Sequence, residues 1–446
     1  LMATLIVITT VTAVVSSLGA PLVPAIASEF GVSLDDAQWS LTAAMLTAVV
    51  ATPLLGRTAS GSRRKPVLAG SLALVLAGTV MSGVAPAFGW LLAGRAMQGV
   101  GLSVLPVVLA IARDELDSRR VPRALAILSV TTVAGAGLGY PLTSFVAAHF
   151  GLSGAFFAGT ALMACTLALT VAAVPGRTDP PTTSTDLVGA SLLGAGLCCL
   201  LLALSRGETW GWASGAVLGL AVVGAGLVAG FVRRTLRVDD PLVDLRLAAR
   251  PGLANPNLVA VAAGIGMYSL LTLAVVLVQA DWGLGRSVAV AGWVLVPYSV
   301  MALAGTWLSQ VFRRHMGVRY QLALGCLVFA GACTLMAVRH NSLAAVLLAM
   351  GVGGIGSGFT FSSMAVIMVP HLPAGETGSA MALNMLLRTV GFTVGSALTV
   401  TLMHLFGGVG PRGFVGALAV IVGLWLTTAA LSAVMDARTR PSREGP

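Results

Sequence analysis

The residue of greatest chemical interest in this sequence is an arginine inside an apolar stretch. Arg95 lies within the run from residue 90 to residue 112, and Gln98 follows it in the same run. A charged side chain inside a membrane costs about 2.5 kcal/mol or more, so it normally faces protein or a water-filled cavity and marks a functional position. The alternative is that Arg95 is structural and has no functional role. The long stem of an arginine can place its charged end at the nearer membrane surface.

The same run ends in a dense cluster of charges. Arg113, Asp114 and Glu115 close it, and Arg63 and Arg64 lie in the short link between the second and third apolar runs. A proton carrier needs a titratable group whose exposure alternates between the two sides of a membrane, and the two acids are candidates for that role. Their alternative role is a salt-bridge latch with the arginines that holds the inner side closed.

A second arginine lies deeper in an apolar run. Arg388 is near the middle of the run from residue 379 to residue 403, where its side chain either faces a cavity or makes a structural hydrogen bond between helices. None of the 16 Asp and Glu residues lies in the middle of an apolar run. Glu29 and Asp281, at the opposite side of the predicted membrane from Asp114, are the remaining candidates for a titrating acid.

The elements that position these side chains must cross a membrane. The chain is 57% hydrophobic and 9% charged, whereas a soluble domain carries about 25% charged residues. A helix needs about 20 apolar residues to cross the hydrocarbon core, and by this measure we count fourteen spans. The prediction is an all-α membrane protein with spans at residues 1–25, 37–56, 66–85, 90–112, 124–147, 154–174, 187–204, 213–232, 257–279, 288–312, 320–338, 342–369, 379–403 and 413–435.

The basic residues predict the orientation of the chain. Of the 26 Lys and Arg residues, twenty fall in links on one side of the predicted membrane and four on the other. The positive-inside rule therefore places both termini in the cytoplasm of a cell membrane. The net charge of +10 does not indicate a nucleic acid partner, because the basic residues form short clusters between apolar runs.

Glycine patterns repeat along the chain at nearly one offset. The repeated pairs are Gly99-Val-Gly101 with Gly354-Ile-Gly356, and Gly135 and Gly139 with Gly391 and Gly395. Two homologous six-helix halves around a central cavity are typical of alternating-access transporters. We therefore predict two pseudo-symmetric six-helix bundles plus a two-helix insert. The predicted parts are a bundle at 1–176, an insert at 177–236, a cytoplasmic linker at 237–256, and a second bundle with a short tail at 257–446.

Four motifs carry a resemblance to one family. Gly56-Arg57 begins the link between spans two and three, residues 95–101 form a span-four arginine motif, residues 135–141 form a span-five motif, and residues 239–245 precede span nine. In these motifs the chain resembles the major facilitator superfamily, and within it the 14-helix drug:proton antiporter subgroup, along essentially its whole length.

The resemblance implies roles for particular residues. Arg95 and Gln98 are implied to gate or relay proton movement, or to pair with the charge of a substrate. The span-five motif is implied to seal the interface between the two halves, and its residues are Gly135, Gly139, Tyr140 and Pro141. The chain also departs from the family pattern, with Ser60 and Gly61 in place of an acid and a base in the loop motif and Val15 in place of an aspartate in span one. These departures keep open a carrier without proton coupling.

Polar and aromatic side chains lie in the spans that are expected to line the cavity. Besides Arg388 they are Met97, Tyr268, Gln279, Trp293, Tyr298 and Asn384. Each has ordinary helix packing as its alternative. A cavity with two arginines and no acid near the membrane midplane favours a neutral or anionic amphiphile over a lipophilic cation.

The predicted function is export of hydrophobic or amphiphilic small molecules by proton antiport with alternating access, as in multidrug or antibiotic efflux. One alternative is a proton-independent facilitator or uptake carrier for a neutral or anionic amphiphile, and another is a membrane sensor or lipid-handling protein. No metalloprotease, phosphate-loop or dinucleotide-binding pattern occurs in the sequence. We therefore expect no enzyme, no metal and no cofactor, with the proton gradient as the energy source. The expected partners are the substrate and the lipid bilayer, with the protein as a monomer.

Overall fold

The structure is a computed structural model that describes residues 1–19, 22–59, 61–117, 120–176, 186–238, 245–248, 250, 252–313, 316, 318–368 and 377–438. Within these residues the chain forms α-helices, short 3-10 helices and turns, and no β-strand. The helices are α1 Met2–Ser17, α2 Val23–Phe30, α3 Leu34–Thr58, α4 Arg64–Gly83, α5 Phe88–Gly99, α6 Leu105–Glu115, α7 Val121–Ala173, α8 Leu187–Trp210, α9 Gly215–Thr235, α10 Leu245–Ala248, α11 Ala254–Gln279, α12 Val288–Phe312, α13 Val318–Val338, α14 Leu343–Met368, α15 Thr377–Leu405 and α16 Pro411–Arg438.

Most of these helices are suited to a bilayer. Among the described residues, eleven helical stretches are long and apolar enough to cross a membrane. A helix satisfies every backbone hydrogen bond within itself, which is what the hydrocarbon core demands. The prediction of an all-α, multi-pass membrane protein is therefore confirmed, whereas the count of fourteen spans stays a prediction.

Helix α7 shows why counting spans is difficult. Its 53 residues would extend for about 80 Å if they were straight, at 1.5 Å per residue, far beyond the roughly 30 Å of a hydrocarbon core. The helix breaks at Gly151, whose φ of 72° is non-helical. Glycine adopts this left-handed conformation without the steric penalty of a Cβ atom. The break lies between the predicted fifth and sixth spans.

The chain forms two compact units, one of residues 1–243 with 287–296 and the other of residues 244–286 with 297–446. In the first unit α1 packs on α7, α4 packs on α5 and α7, and α3 packs on α5. Helices α8 and α9 pack on each other, and α8 lies against α3. The domain boundaries given by the sequence analysis stay predictions, and parts of the predicted linker at 237–256 lie outside the described residues.

The second unit has an equivalent set of helix pairs. Helix α11 packs on α15, and α13 packs on α14 and α16. Between α13 and α16, the buried ring of Trp425 stacks on Phe329 with 4.4 Å between ring centroids. Taken by itself, each unit therefore pairs its first helix with the helix that carries the repeated glycine motif.

Glycines bring the backbones of these paired helices together. A Cβ atom at Gly135 of α7 would lie 2.6 Å from the carbonyl oxygen of Thr10 in α1. In the second unit, a Cβ atom at Gly264 of α11 would lie less than 3.0 Å from the carbonyl oxygen of Arg388 and from the Cα atom of Gly391, both in α15. Helices in lipid associate through such close packing of small residues, because lipid chains are as apolar as the side chains.

The contact at Gly264 gives a first prediction. Replacing Gly264 by Ala should destabilise the protein by about 1–3 kcal/mol, the usual cost of an extra group in a packed interior, and should lower the melting temperature of the purified protein in detergent. The matched control is Gly423→Ala in α16, where nothing lies within 4 Å of an added Cβ atom. Equal melting temperatures of the two variants would contradict the proposed close approach of α11 and α15.

Candidate functional site

Arg95 lies in the interior of the first unit. Its side chain is fully buried. Its Nε donates a hydrogen bond to the carbonyl oxygen of Ser40 in α3 at 3.2 Å, and its Nη1 donates to Oε1 of Gln98, one turn along α5. The guanidinium is therefore bonded to protein acceptors. The structural alternative for Arg95 requires a side chain that extends to the membrane surface, and the observed side chain does not do so.

Gln98 extends the hydrogen bonds from α5 to α4. Its Nε2 donates to the carbonyl oxygen of Gly78 at 3.3 Å and to Oγ of Ser82 at 3.2 Å, and Gln98 itself is fully buried. We call the four side chains or backbone groups of Ser40, Gln98, Ser82 and Arg95 the arginine network. It joins α3, α4 and α5 through polar groups in the interior of an apolar bundle.

Glycines provide the room for the arginine network. A Cβ atom at Gly19 would lie less than 3.0 Å from Nη2 and Cζ of Arg95, and one at Gly94 would lie less than 3.0 Å from Oγ of Ser82. Gly19 follows the end of α1, so the guanidinium lies between the end of the first helix and α3. A larger residue at Gly19 would require the Arg95 guanidinium or the Leu41 side chain to shift.

A second polar site lies at the predicted inner end of the same unit. Oδ2 of Asp114, in the last turn of α6, accepts from Nη1 of Arg64 at 2.5 Å, and Oδ1 accepts from Nε of Arg113 at 3.2 Å. Nε of Arg64 also donates to the carbonyl oxygen of Ala59 at 3.2 Å. Because Arg64 is the first residue of α4, this Asp114 pair joins the start of α4 to the end of α6.

Arg388 lies in the second unit, in the middle of α15. Its Cζ lies 4.6 Å from the centroid of the Phe361 ring in α14. Its Nε is buried and has no hydrogen-bond acceptor among the described residues. The two arginines therefore differ, since the donors of Arg95 meet protein acceptors and the buried Nε of Arg388 meets none that the structure describes.

The sequence as a whole matches one family of membrane proteins. The profile described as Major Facilitator Superfamily matches residues 5–239 and 257–446. The chain belongs to the Major Facilitator Superfamily. The predicted resemblance is thereby confirmed, and this MFS protein is a multi-pass membrane transporter, in a family of transporters rather than enzymes.

Several relatives of this MFS transporter have transporter names. It is 24% identical to the uncharacterized MFS-type transporter YvkA of Bacillus subtilis (strain 168), over 85% of this chain and 88% of the relative. It is 24% identical to Multidrug resistance protein 3 of the same organism, over 81% and 71%. It is 25% identical to Multidrug resistance protein Stp of Mycobacterium tuberculosis (strain ATCC 25618 / H37Rv), over 84% and 70%.

Solved structures share the fold of this MFS transporter. The human organic anion transporter MFSD10 (TETRAN) superposes with a TM-score of 0.68 at 16% identity, covering 97% of this chain and 98% of the other. A POT family transporter in complex with a thioalcohol conjugated peptide superposes with a TM-score of 0.71 at 13% identity, covering 98% and 96%. At these identities the likeness establishes the MFS fold.

The structure brings together part of the predicted charge cluster of this MFS transporter. Asp114 pairs with Arg64 and Arg113, two of the three arginines proposed for the latch. Among the described residues, no ion pair is recorded for Arg63. Glu115 is the last residue of α6, next to Asp114.

The other predicted acids and the span-five motif have the following positions. Glu29 and Asp281 are both exposed, at the end of α2 and just after α11. In α7, Gly135, Gly139 and Pro141 are buried and Tyr140 is partly buried. Their implied roles in proton coupling and in sealing the two halves stay predictions.

The residues predicted to line a cavity divide into several groups. Asn384 is buried and its Nδ2 donates to the carbonyl oxygen of Pro256 at 3.1 Å and to Oδ1 of Asn257 at 3.2 Å, which fixes the start of α11 against α15. Tyr298 is buried with its ring 6.5 Å from Phe329. For both residues the packing alternative has direct support in the structure.

The remaining cavity candidates are more accessible. Tyr268, Gln279 and Met97 are partly buried, and the Tyr268 ring lies 6.2 Å from that of Phe392 in α15. Trp293 is 60% exposed, so its ring is not part of a packed core. Two of the cavity candidates are thus partly buried and lie in or against α15. They are Arg388, which is part of α15, and Tyr268, whose ring faces Phe392.

Sequence reasoning did not identify an ion pair that joins the predicted insert to α3. Nη2 of Arg206 in α8 lies 3.4 Å from Oδ1 of Asp36 in α3. The Arg206 guanidinium also lies 4.7 Å from the centroid of Trp39 and 5.9 Å from that of Trp210. The available signal was that opposite charges and tryptophans occur at the same predicted side of the membrane in spans two and seven.

A second missed pair lies within the insert. Nη2 of Arg234 in α9 lies 3.0 Å from Oδ1 of Asp186, which also accepts a hydrogen bond from the backbone nitrogen of Gly189 at 2.8 Å and so caps α8. Opposite charges at adjoining ends of two consecutive spans were the signal in this case.

The arginine network gives a second prediction. Position 350, which lies four residues before Gly354 as Arg95 lies four residues before Gly99, is a methionine. Arg95→Met introduces that residue, and it deprives the buried Oε1 of Gln98 of its arginine donor. Leaving a buried acceptor unpaired costs about 1–3 kcal/mol, so the melting temperature of the purified variant should fall. Arg339→Met, which changes an exposed arginine just after α13, is the control and should melt close to the wild type. An unchanged melting temperature for Arg95→Met would show that the network does not stabilise the bundle.

The Asp114 pair gives a third prediction, testable by a double-mutant cycle. Arg64→Gln and Asp114→Asn should each destabilise the protein, and the double variant should be less destabilised than their sum by about 1 kcal/mol. The control cycle is Arg120→Gln with Asp117→Asn, a pair whose side chains are both 79% exposed at 3.8 Å, and exposed pairs contribute about 0–1 kcal/mol. Equal coupling in both cycles would remove the argument for a latch at Asp114.

Proposed function

We propose that this MFS transporter is a secondary active exporter of hydrophobic or amphiphilic small molecules and that it exchanges them for protons by alternating access. The observation that carries the proposal is the Asp114 pair. A single titratable carboxylate is held by arginines from two different helices at the predicted inner end of the first unit. Relatives named as multidrug resistance proteins support export as the direction and small molecules as the cargo.

The chemistry of the pair connects proton binding to conformation. Protonation of Asp114 removes its negative charge and with it the attraction to Arg64 and Arg113. The join between α4 and α6 then weakens, so the proton favours whichever conformation has this join open. By linkage, a conformation that separates Asp114 from its arginines also holds the proton more tightly.

Arg95 has a supporting role in this proposal. An arginine remains protonated in proteins, so Arg95 cannot itself carry the exchanged proton. Its bonds to α3 and, through Gln98, to α4 make it a fixed joint between three helices. We infer that Arg95 acts on gating through these bonds. They hold α3, α4 and α5 together, and they must break if these helices separate during the transport cycle.

A facilitator without proton coupling is the second candidate. Val15, at the position where the resembled subgroup has an aspartate, is fully buried in α1 within the apolar core of the first unit. That site offers no titratable group. Ser60, the other departure, lies outside the described residues.

A flux measurement in proteoliposomes distinguishes the two candidates and is the fourth prediction. A pH-sensitive dye is trapped inside, and probes that do not themselves titrate are added: neutral chloramphenicol, the anion 2-naphthalenesulfonate and the cation tetraphenylphosphonium. At least one probe should drive proton movement that an uncoupler abolishes. Asp114→Asn should reduce this movement at least tenfold, whereas Asp117→Asn should not.

Two outcomes oppose the proposal. Probe uptake without proton movement, and at a rate independent of the pH gradient, would identify a facilitator. If none of the three probes moves either itself or protons through the wild-type protein, export of small amphiphiles is wrong.

A further inference from the structure

Arg388 is a cation within an apolar helix that the proposed function does not use. It lies at the centre of α15, its residue is partly buried, and Nε has no hydrogen-bond acceptor among the described residues. The structure records no ion pair or hydrogen bond from its guanidinium to any described side chain. A guanidinium has five N–H donors, so this side chain has unused capacity for an acceptor.

The sequence excludes an acid as the missing partner from the neighbouring helices. Helices α11, α12, α13, α14 and α15 contain no aspartate or glutamate anywhere in their lengths. In α16 the only acid is Asp436, near its last residue. A buried charge without a partner is costly, so an anion that comes from outside the chain would offset that cost.

Contacts on both sides of α15 hold Arg388 in place. The carbonyl oxygen of Arg388 lies so close to Gly264 of α11 that a Cβ atom added at Gly264 would be less than 3.0 Å from this oxygen. Its guanidinium lies 4.6 Å from the centroid of Phe361 in α14. A cation over an aromatic face is attracted by the ring quadrupole, so this contact favours a position of the guanidinium beside Phe361.

An aromatic side chain on the same helix shares a face with Arg388. Phe392 follows Arg388 by four residues, and positions i and i+4 share one face of an α-helix. The Phe392 ring lies 6.2 Å from that of Tyr268 in α11. A cation beside an aromatic pair matches a ligand that joins an acidic group to an apolar or aromatic body.

We propose that Arg388 binds the carboxylate, sulfonate or phosphate group of an anionic amphiphile, and that Phe361, Phe392 and Tyr268 contact the apolar part of the same molecule. The inference rests on the proposed transport function and adds the charge of the cargo to it. Arginine suits such groups because its planar fork donates two parallel hydrogen bonds to two oxygens. Arg95 is not an equivalent site, because its Nε and Nη1 already donate to Ser40 and Gln98.

Binding of two probes of matched shape tests the inference. The probes are 2-naphthalenesulfonate and N,N,N-trimethyl-2-naphthylammonium, which share a ring system and carry permanent opposite charges. Affinity for the purified wild-type transporter in a neutral detergent is measured by equilibrium dialysis. We expect the anion to bind at least tenfold more tightly than the cation, and Arg388→Gln to remove this preference. The control variant Arg339→Gln should keep it.

Each other outcome has a definite meaning. Equal affinity of the two probes for the wild type, or an undiminished preference for the anion in Arg388→Gln, would overturn the inference. Should Arg388→Gln fail to fold, Arg388→Lys retains the charge and loses the planar fork, and it should bind the anion with reduced affinity while still favouring it over the cation. Wild-type affinity for the anion in Arg388→Lys would contradict recognition by the guanidinium fork.

The anion site and proton-coupled export can be refuted independently of each other. Selective binding of 2-naphthalenesulfonate without any proton movement in proteoliposomes would leave the anion site in place and refute proton-coupled export. Proton movement driven by tetraphenylphosphonium, together with no preference for the anionic probe, would support export and refute the anion site.

Discussion

The low polarity of the membrane interior is the constraint on which the structure depends. A positive charge there must meet acceptors, an anion or water, because its hydration cannot follow it into the bundle. Arg95 satisfies this demand with the carbonyl oxygen of Ser40 and the amide of Gln98. Gly19 and Gly94 leave room for the side chains of Arg95 and Ser82. The bonds from Gln98 to α4 fix the amide that accepts from Arg95.

The same demand has a different outcome at Arg388. The five helices α11 to α15 of the sequence contain no carboxylate, and the structure shows aromatic rings and a buried Nε in the place of an acceptor. An unsatisfied buried polar group in a native structure needs an explanation, and a bound ion is one such explanation. We propose that the two arginines have different roles in the transporter, with Arg95 fixing helices and Arg388 binding a ligand.

Much of this organisation could be predicted from the sequence. The apolar runs predict a multi-pass membrane protein, and the glycine repeat predicts a duplication. In the structure the repeated glycines lie in corresponding helix pairs, with Gly135 against α1 and Gly391 against α11. The charged cluster predicts an ion pair at Asp114, because Arg113 is its neighbour and Arg64 lies at the same predicted side of the membrane.

Other features could not be predicted, for physical reasons. The pair between Asp36 and Arg206 depends on α8 lying beside α3, and periodicity within a helix says nothing about its neighbours. Asn384 was expected in a cavity because its type and depth allow it, but the register of α15 against α11 places its amide on Pro256 and Asn257. The count of fourteen spans stays a prediction, since eleven stretches among the described residues meet the length and hydropathy of a span.

The most direct test of the account is an experimental structure of the transporter with 2-naphthalenesulfonate. The account predicts that sulfonate oxygens lie within hydrogen-bonding distance of the Arg388 guanidinium, with the naphthalene ring against Phe392 or Phe361. It also predicts that Arg95 remains bonded to Ser40 and Gln98 in the same structure. A ligand bound to Arg95, or one bound away from both arginines, would contradict the division of roles between them.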